Sequence, residues 1–117
     1  MRLESEGIRL RIYIREDDRF DGVPLYDAIV ERARLFGLAG ATVVRGLEGF
    51  GVRNRIHGVH SASVAQDLPV TVEIVDQRVK IDAFLPSLDE MVAEGLVTKE
   101  AVEVILYRLR EPEQRTH

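Results

Sequence analysis

Ile8-Arg9-Leu10-Arg11-Ile12-Tyr13-Ile14-Arg15 is the stretch that decides the fold. Four aliphatic side chains alternate with three arginines and a tyrosine, the period-two pattern of a strand with one buried face and one open face. Such a strand needs apolar cover on one side only, and the residues that follow supply it. Asp17, Asp18, Asp21, Gly22 and Pro24 form a turn and helix-start segment, with Pro24 tolerated in a first helical turn because its missing N–H would have no intrahelical acceptor there. Leu25, Ile29, Ala33 and Phe36 recur at three- or four-residue spacing, which predicts a helix closed by Gly37 or Gly40. Residues 41–47 are rich in β-branched side chains and predict a second strand, which breaks up at Gly46, Gly49 and Gly51.

A loop of about 50–67 follows, polar or small in composition and without sustained periodicity. Loops of this length inside compact domains are usually functional or mobile. Residues 68–75 predict a third strand with Pro69 at its start, where no ladder donor is lost. Asp76 is placed to cap the next helix, which is marked by Ile81, Phe84, Leu85, Leu88, Met91 and Val92. Pro86 inside it predicts a kink, or two short helices meeting near Leu85, with Gly95 as the terminator. Residues 102–107 predict a fourth strand and residues 111–117 a frayed tail.

The order βαββαβ predicts an α+β fold: a ferredoxin-like sandwich whose four-stranded antiparallel sheet carries both helices on one face. Right-handed crossovers make the first and third strands central neighbours. The uncovered face then bears Arg9, Arg11, Tyr13 and Arg15, with Thr71, Glu73 and Val75 beside them. We expect this face to be a subunit interface in which the arginines meet carboxylates of a neighbouring chain, the alternative being a solvated surface.

Composition bounds the chemistry. With 117 residues, 45% hydrophobic and 31% charged, the chain has room for one core, so residues 1–117 are read as a single domain. Charged residues stand at the N-terminus where a secretory signal would be apolar, and the longest apolar runs are far short of a membrane span, so a cytoplasmic location is expected. The absence of cysteine excludes disulfides, thiolate metal sites and cysteine nucleophiles. A net charge of −4 argues against general nucleic-acid binding, which needs a cationic field. Fourteen of the 16 basic residues are arginine, suited to bidentate carboxylate or phosphate contacts.

The site candidates cluster where the second strand ends. Gly46, Gly49 and Gly51 permit close backbone approach and converging N–H groups, a geometry that binds phosphates, although a simple bulge and turn would use the same residues. Glu48 and Phe50 lie between them. Arg53 and Arg55 could hold a small anionic ligand. His57 and His60 lack the nearby carboxylate or cysteine that would complete a metal site, and no acid is placed to orient either as a catalyst, so no metal or catalytic residue is assigned. Both are read as part of a partner-contacting loop.

Gly37-Leu38-Ala39-Gly40-Ala41-Thr42-Val43, Gly49-Phe50-Gly51, Leu68-Pro69-Val70 and Val72-Glu73-Ile74-Val75 resemble, in order and spacing, the PII signal-transduction proteins. Pro24 to Ile29, the Gly-Phe-Gly segment and Phe84 to Val92 are similar to a bacterial PII-like family known as domain of unknown function 190. The resemblance covers nearly the whole chain. It implies a homotrimer, adenine nucleotides in clefts between neighbours, a loop that contacts a target protein, and regulation in place of catalysis. It places Gly51 at the ligand and Arg53 where classical members carry an adenine-contacting glutamine. Their second ligand segment is reduced to Gly95-Leu96-Val97-Thr98-Lys99, which brings in Thr98 and Lys99. The loop is shorter and lacks the tyrosine that classical members can have uridylylated. Fluoride-exporter genes often neighbour those of the uncharacterised family, which implies a membrane-transporter partner.

Two other classes fit parts of the sequence. An RNA-binding module shares the ferredoxin-like layout, but such modules stack bases on aromatics of both central strands, and residues 70–75 contain none. A small enzyme using His57 or His60 is the weakest reading.

Overall fold

The structure, a computed structural model, describes residues 5–50, 57–58 and 67–110. Its main sheet has four strands: β1 (Ser5–Arg15), β2 (Thr42–Arg45), β3 (Pro69–Asp76) and β4 (Leu96–Val104), in the spatial order β2-β3-β1-β4 with every pairing antiparallel. Helices α1 (Leu25–Phe36) and α2 (Arg78–Met91) complete the βαββαβ order. The predicted α+β architecture and the central pairing of the first and third strands are both present.

The alternation in β1 produces the core directly. Ile8, Leu10, Ile12 and Ile14 are buried, and they meet Val70, Val72 and Ile74 of β3, Leu25, Ile29 and Ala33 of α1, and Ile81, Phe84, Leu88 and Met91 of α2. Burying large aliphatic side chains contributes roughly 1.5–3 kcal/mol each before conformational entropy is subtracted. Both helices therefore sit on one face because only one face of the sheet is apolar.

The local structure departs from expectation in five places. Asp21 and Gly22 both have positive φ (50° and 82°) and join a small hairpin, Arg19–Phe20 paired with Val23–Pro24. An Asp-Gly pair is a strong signal for such a two-residue turn, so Pro24 precedes α1 as its N-cap residue and is not in the first turn. Strand β2 is shorter than residues 41–47. Asp76 does not cap α2; Gln77 does, without a side-chain cap. The fully buried Asp76 carboxylate instead accepts hydrogen bonds from Ala39 N (2.8 Å) and Gln77 N (2.6 Å), tying the α1–β2 corner to the end of β3.

Helix α2 is a single element with Pro86 inside it. Pro86 and Asp82, whose carbonyl loses its usual donor, lie on the exposed side, where water can satisfy that oxygen, while Ile81, Phe84, Leu88 and Met91 fix the buried side on both flanks. Strand β4 starts at Leu96, six residues before the predicted start at residue 102, and ends at Val104; residues 105–107 lie beyond it. Gly95 is what allows that start: at φ +154° an added Cβ would stand 2.7 Å from Tyr13 O and 3.1 Å from Ile14 Cγ2.

The open face carries the predicted side chains, but its ion pairs are internal. Glu100 on β4 accepts from Arg9 Nη2 at 2.5 Å and Arg11 Nη1 at 3.2 Å, and Glu73 on β3 accepts from Arg11 Nε at 3.0 Å. The hydrogen bond from Arg9, with the charges of both arginines, holds the Glu100 carboxyl below its ordinary pKa. The carboxylates expected from a neighbouring chain thus come from adjacent strands of the same sheet.

Candidate functional site

Both roots of the long loop meet the β1–α1 turn at one end of the sheet. Arg45, the last residue of β2, forms an ion pair with Glu16. On the returning side, Glu16 N donates to Leu68 O at 2.8 Å and Asp17 N to the Asp67 carboxylate at 3.3 Å. Arg15 Nη1 lies 3.5 Å from Asp67 and its Nη2 3.7 Å from Asp18. Glu16, Arg45 and Asp67 carry no local signal in the sequence, which marks Arg15 only as a residue of the open face. The Arg45–Glu16 and Arg15–Asp67 pairs are 29 and 52 residues apart in sequence and become neighbours only once the strand order is known.

Asp67 is only 8% exposed. Burial raises its pKa, helped by the hydrogen bond that the protonated Asp67 carboxyl donates to the Asp17 carboxylate, while the Asp17 N–H and Arg15 oppose the shift. The root is therefore a partly buried acidic cluster crossed by two arginines.

Gly46 packs too closely on Pro69 to carry a side chain, whereas Gly49 lies at ordinary contact distance from it. Gly46 N donates to Pro69 O at 2.7 Å, and a Cβ on Gly46 would come within 2.9 Å of Pro69 Cγ; at Gly49 the distance would be 3.4 Å. Neither has positive φ. The Gly46 N–H is already used within the chain. Glu48 and Gly49 pair with His57–Gly58 in a two-residue ribbon, with Glu48 exposed. Phe50 is 68% exposed. Gly51, Arg53, Arg55 and His60 lie outside the described residues, as does the side chain of His57.

Thr98 and Lys99 fall within β4 and not in a turn before it. Thr98 pairs with Arg11 on the open face, whereas Lys99 pairs with Leu10 on the helix face and its Nζ donates to Asp82 Oδ1 of α2 at 2.7 Å. The structure does not bring these residues against the glycine segment within one chain. They occupy the two outer strands of the sheet, separated by β3 and β1, or three strand spacings of about 4.8 Å each. Both outer strands nevertheless begin or end at the same height: Arg45 is level with Val70 and Ile14, and Leu96 with Tyr13.

Among the described residues, no group of three or more His, Asp or Glu side chains is arranged to hold a metal ion, and no helix is long and apolar enough to cross a membrane. A shallow pocket lined by Glu6, Gly7, Ile8, Arg78 and Ala101 lies at the opposite end from the loop roots and includes none of the predicted site residues.

Comparison with known proteins gives a family and a fold. A UPF0166 protein of Aquifex aeolicus is 43% identical over 96 residues, covering 82% of this chain and 90% of its own length. A UPF0166 protein of Methanocaldococcus jannaschii is 37% identical over 89 residues, covering 75% and 82%. Among solved structures, the chain is similar to a Bacillus subtilis GlnK–ATP complex, with a TM-score of 0.55, 10% identity, and 86% and 85% of the two chains covered. It is also similar to CPII, a nitrogen regulatory PII-like protein from Thiomonas intermedia K12 bound to ADP, AMP and bicarbonate, with a TM-score of 0.58, 16% identity, and 85% and 88% covered. These likenesses establish a PII-like fold. The DUF190 family model, described as an uncharacterized ACR, matches residues 7–104, and the chain belongs to that family.

Proposed function

We propose that this protein is a non-enzymatic PII-like regulatory subunit that acts as a cytoplasmic homotrimer. It senses a small anionic ligand, such as an adenine nucleotide, in clefts between neighbouring subunits. It signals to a target protein, with a membrane transporter as the candidate, through the loop at about 50–67. Residues 1–117 act as one domain in this reading.

The observation that carries the proposal is the split placement of the two ligand segments. The glycine segment sits at the β2 edge and the Gly95–Lys99 segment at the β4 edge, at one end of the same sheet. A head-to-tail ring sets the β2 edge of one copy beside the β4 edge of the next, and a heterologous interface that closes makes such a ring. One wall of the cleft is then Gly46, Glu48, Gly49, Phe50, Gly51, Arg53 and Arg55, and the other is Thr98 and Lys99. Lys99 must exchange Asp82 for the ligand's anionic group. The ligand-bound states of the GlnK and CPII structures support the ligand class. Regulation follows if the ligand prefers one loop state, because it then shifts the population toward that state.

Light scattering combined with a thermal-shift panel of AMP, ADP, ATP, cyclic nucleotides and small anions tests the reading. A trimer stabilised by one nucleotide supports it. A monomer removes the cleft, and no shift with any nucleotide at millimolar concentration removes the nucleotide.

A further inference from the structure

Lys99 is the one cation in β4, whose other charged residues are Glu100 and Glu103. Its Nζ donates to Asp82 Oδ1 of α2 at 2.7 Å, and the two side chains are 40% and 45% exposed, so the contact can open without disturbing the core. Register builds the pair from both sides. Lys99 faces the buried Leu10, which turns it to the helix side of the sheet. Ile81 and Phe84 fix the buried side of α2, which leaves Asp82 on its exposed flank. Asp82 also carries the carbonyl that Pro86 leaves without an intrahelical donor, so one residue sets both a carboxylate and a free carbonyl oxygen on that flank. The next cations inward, Arg9 and Arg11 of β1, are held on the open face by Glu100 and Glu73. Among these three cations none lacks a carboxylate partner.

We propose that Asp82 is an intramolecular counter-anion that competes with the ligand for Lys99 and so restricts the cleft to anions of low charge. This rests on the cleft reading above, in which Lys99 forms part of one wall. An anionic group reaches Lys99 only by displacing the Asp82 carboxylate or by sharing the ammonium with it. In either case the charge it meets at this wall is close to zero. A single phosphate tolerates the exchange, because it can accept the hydrogen bond that the displaced carboxylate gives up. Each further phosphate adds charge for which this wall supplies no cation. Asp82 acts through Lys99 without touching the ligand, as a positioning residue.

Calorimetry on the full-length protein, at low ionic strength and without magnesium so that phosphate charge is neither screened nor neutralised, compares AMP with ATP. The proteins are wild type, Asp82→Asn, Lys99→Met and the double variant. Wild type should bind AMP at least as tightly as ATP. A unit charge at about 4 Å in water is worth about fivefold in affinity, so Asp82→Asn should tighten AMP about threefold and ATP about tenfold. Without Lys99 nothing holds the anionic group beside Asp82, so in the Lys99→Met background the same substitution should change either affinity by less than about twofold. Unchanged affinities in Asp82→Asn overturn the role of Asp82 and leave the cleft standing. So does an equal gain for AMP and ATP, a gain that persists without Lys99, or a wild type that prefers ATP more than about tenfold. Binding of neither nucleotide by any of the four proteins overturns the nucleotide reading of the cleft, and the role of Asp82 with it.

Discussion

Asp76 should be the most costly polar side chain to remove. Its carboxylate is fully buried and accepts two backbone N–H groups, Ala39 at 2.8 Å and Gln77 at 2.6 Å. Asp76→Ala leaves both donors without an acceptor in a site closed to water. Hydrogen bonds to a charged acceptor contribute about 1.5–3 kcal/mol each, so the expected loss is about 3–6 kcal/mol. A chain of this length has roughly 6–18 kcal/mol of total stability, so the variant falls close to the unfolding threshold. With a urea dependence of about 1–3 kcal/mol per molar, the unfolding midpoint drops by about 2 M. Asp76→Asn keeps one acceptor oxygen but turns an amide NH2 toward the other donor, and should lose about half as much. Urea titration followed by far-UV circular dichroism, at fixed protein concentration because assembly shifts apparent stability, measures both. A loss below about 1 kcal/mol for Asp76→Ala, or an Asp76→Asn variant as stable as wild type, would refute the account of Asp76 as the tie between the α1–β2 corner and β3.

Three further outcomes follow from the geometry. Gly95→Ala combines strain at φ +154° with a Cβ 2.7 Å from Tyr13 O, and should cost about 2–4 kcal/mol, read as a fall in melting temperature of roughly 10 °C. Gly46→Ala should cost about 1–2 kcal/mol through its contact with Pro69 Cγ, and Pro69→Ala should relieve much of that loss; strictly additive effects in the double-mutant cycle would exclude the packing explanation. Asp67 has a folded-state pKa above its ordinary value, so its stability contribution is complete below the unfolded pKa and is lost as pH rises through the folded one. Urea midpoints of wild type minus Asp67→Asn should therefore decrease from about pH 4 to about pH 7, and a difference that grows with pH would contradict the burial-driven shift.

The core was legible because its signal is periodic. Alternation in residues 8–15 and 70–75 and the three- and four-residue spacing of Ile81, Phe84, Leu88 and Met91 report one-sided burial, which the sandwich requires of every central element. The edges were not legible. Strand β4 is exposed along most of its length, so Leu96 to Ala101 shows no alternation and its start was missed by six residues. Asp21-Gly22 reads as a turn in the sequence, but the two-residue strands Arg19–Phe20 and Val23–Pro24 that it joins are too short to show a period. Capping is a local rule and points Asp76 at α2, whereas one of its two donors, Ala39, is 37 residues away. The same distinction governs the loop roots. Gly46 is visible as a glycine in any reading, but that it accommodates Pro69, and that Arg45 meets Glu16, depends on β2 lying beside β3 and β3 beside β1.

Arg9, Arg11, Glu73 and Glu100 sum to zero charge, and each lies beside an opposite charge on a neighbouring strand. Exposed pairs of this kind add little to the stability of a lone chain. Their effect is on symmetry. Rotation about an axis facing the sheet brings identical residues of each copy toward one another, and unbalanced arginines there would repel in every copy at once. A patch already neutral can be repeated around an axis without that penalty, and association through it should respond weakly to salt, because no long-range charge remains to be screened.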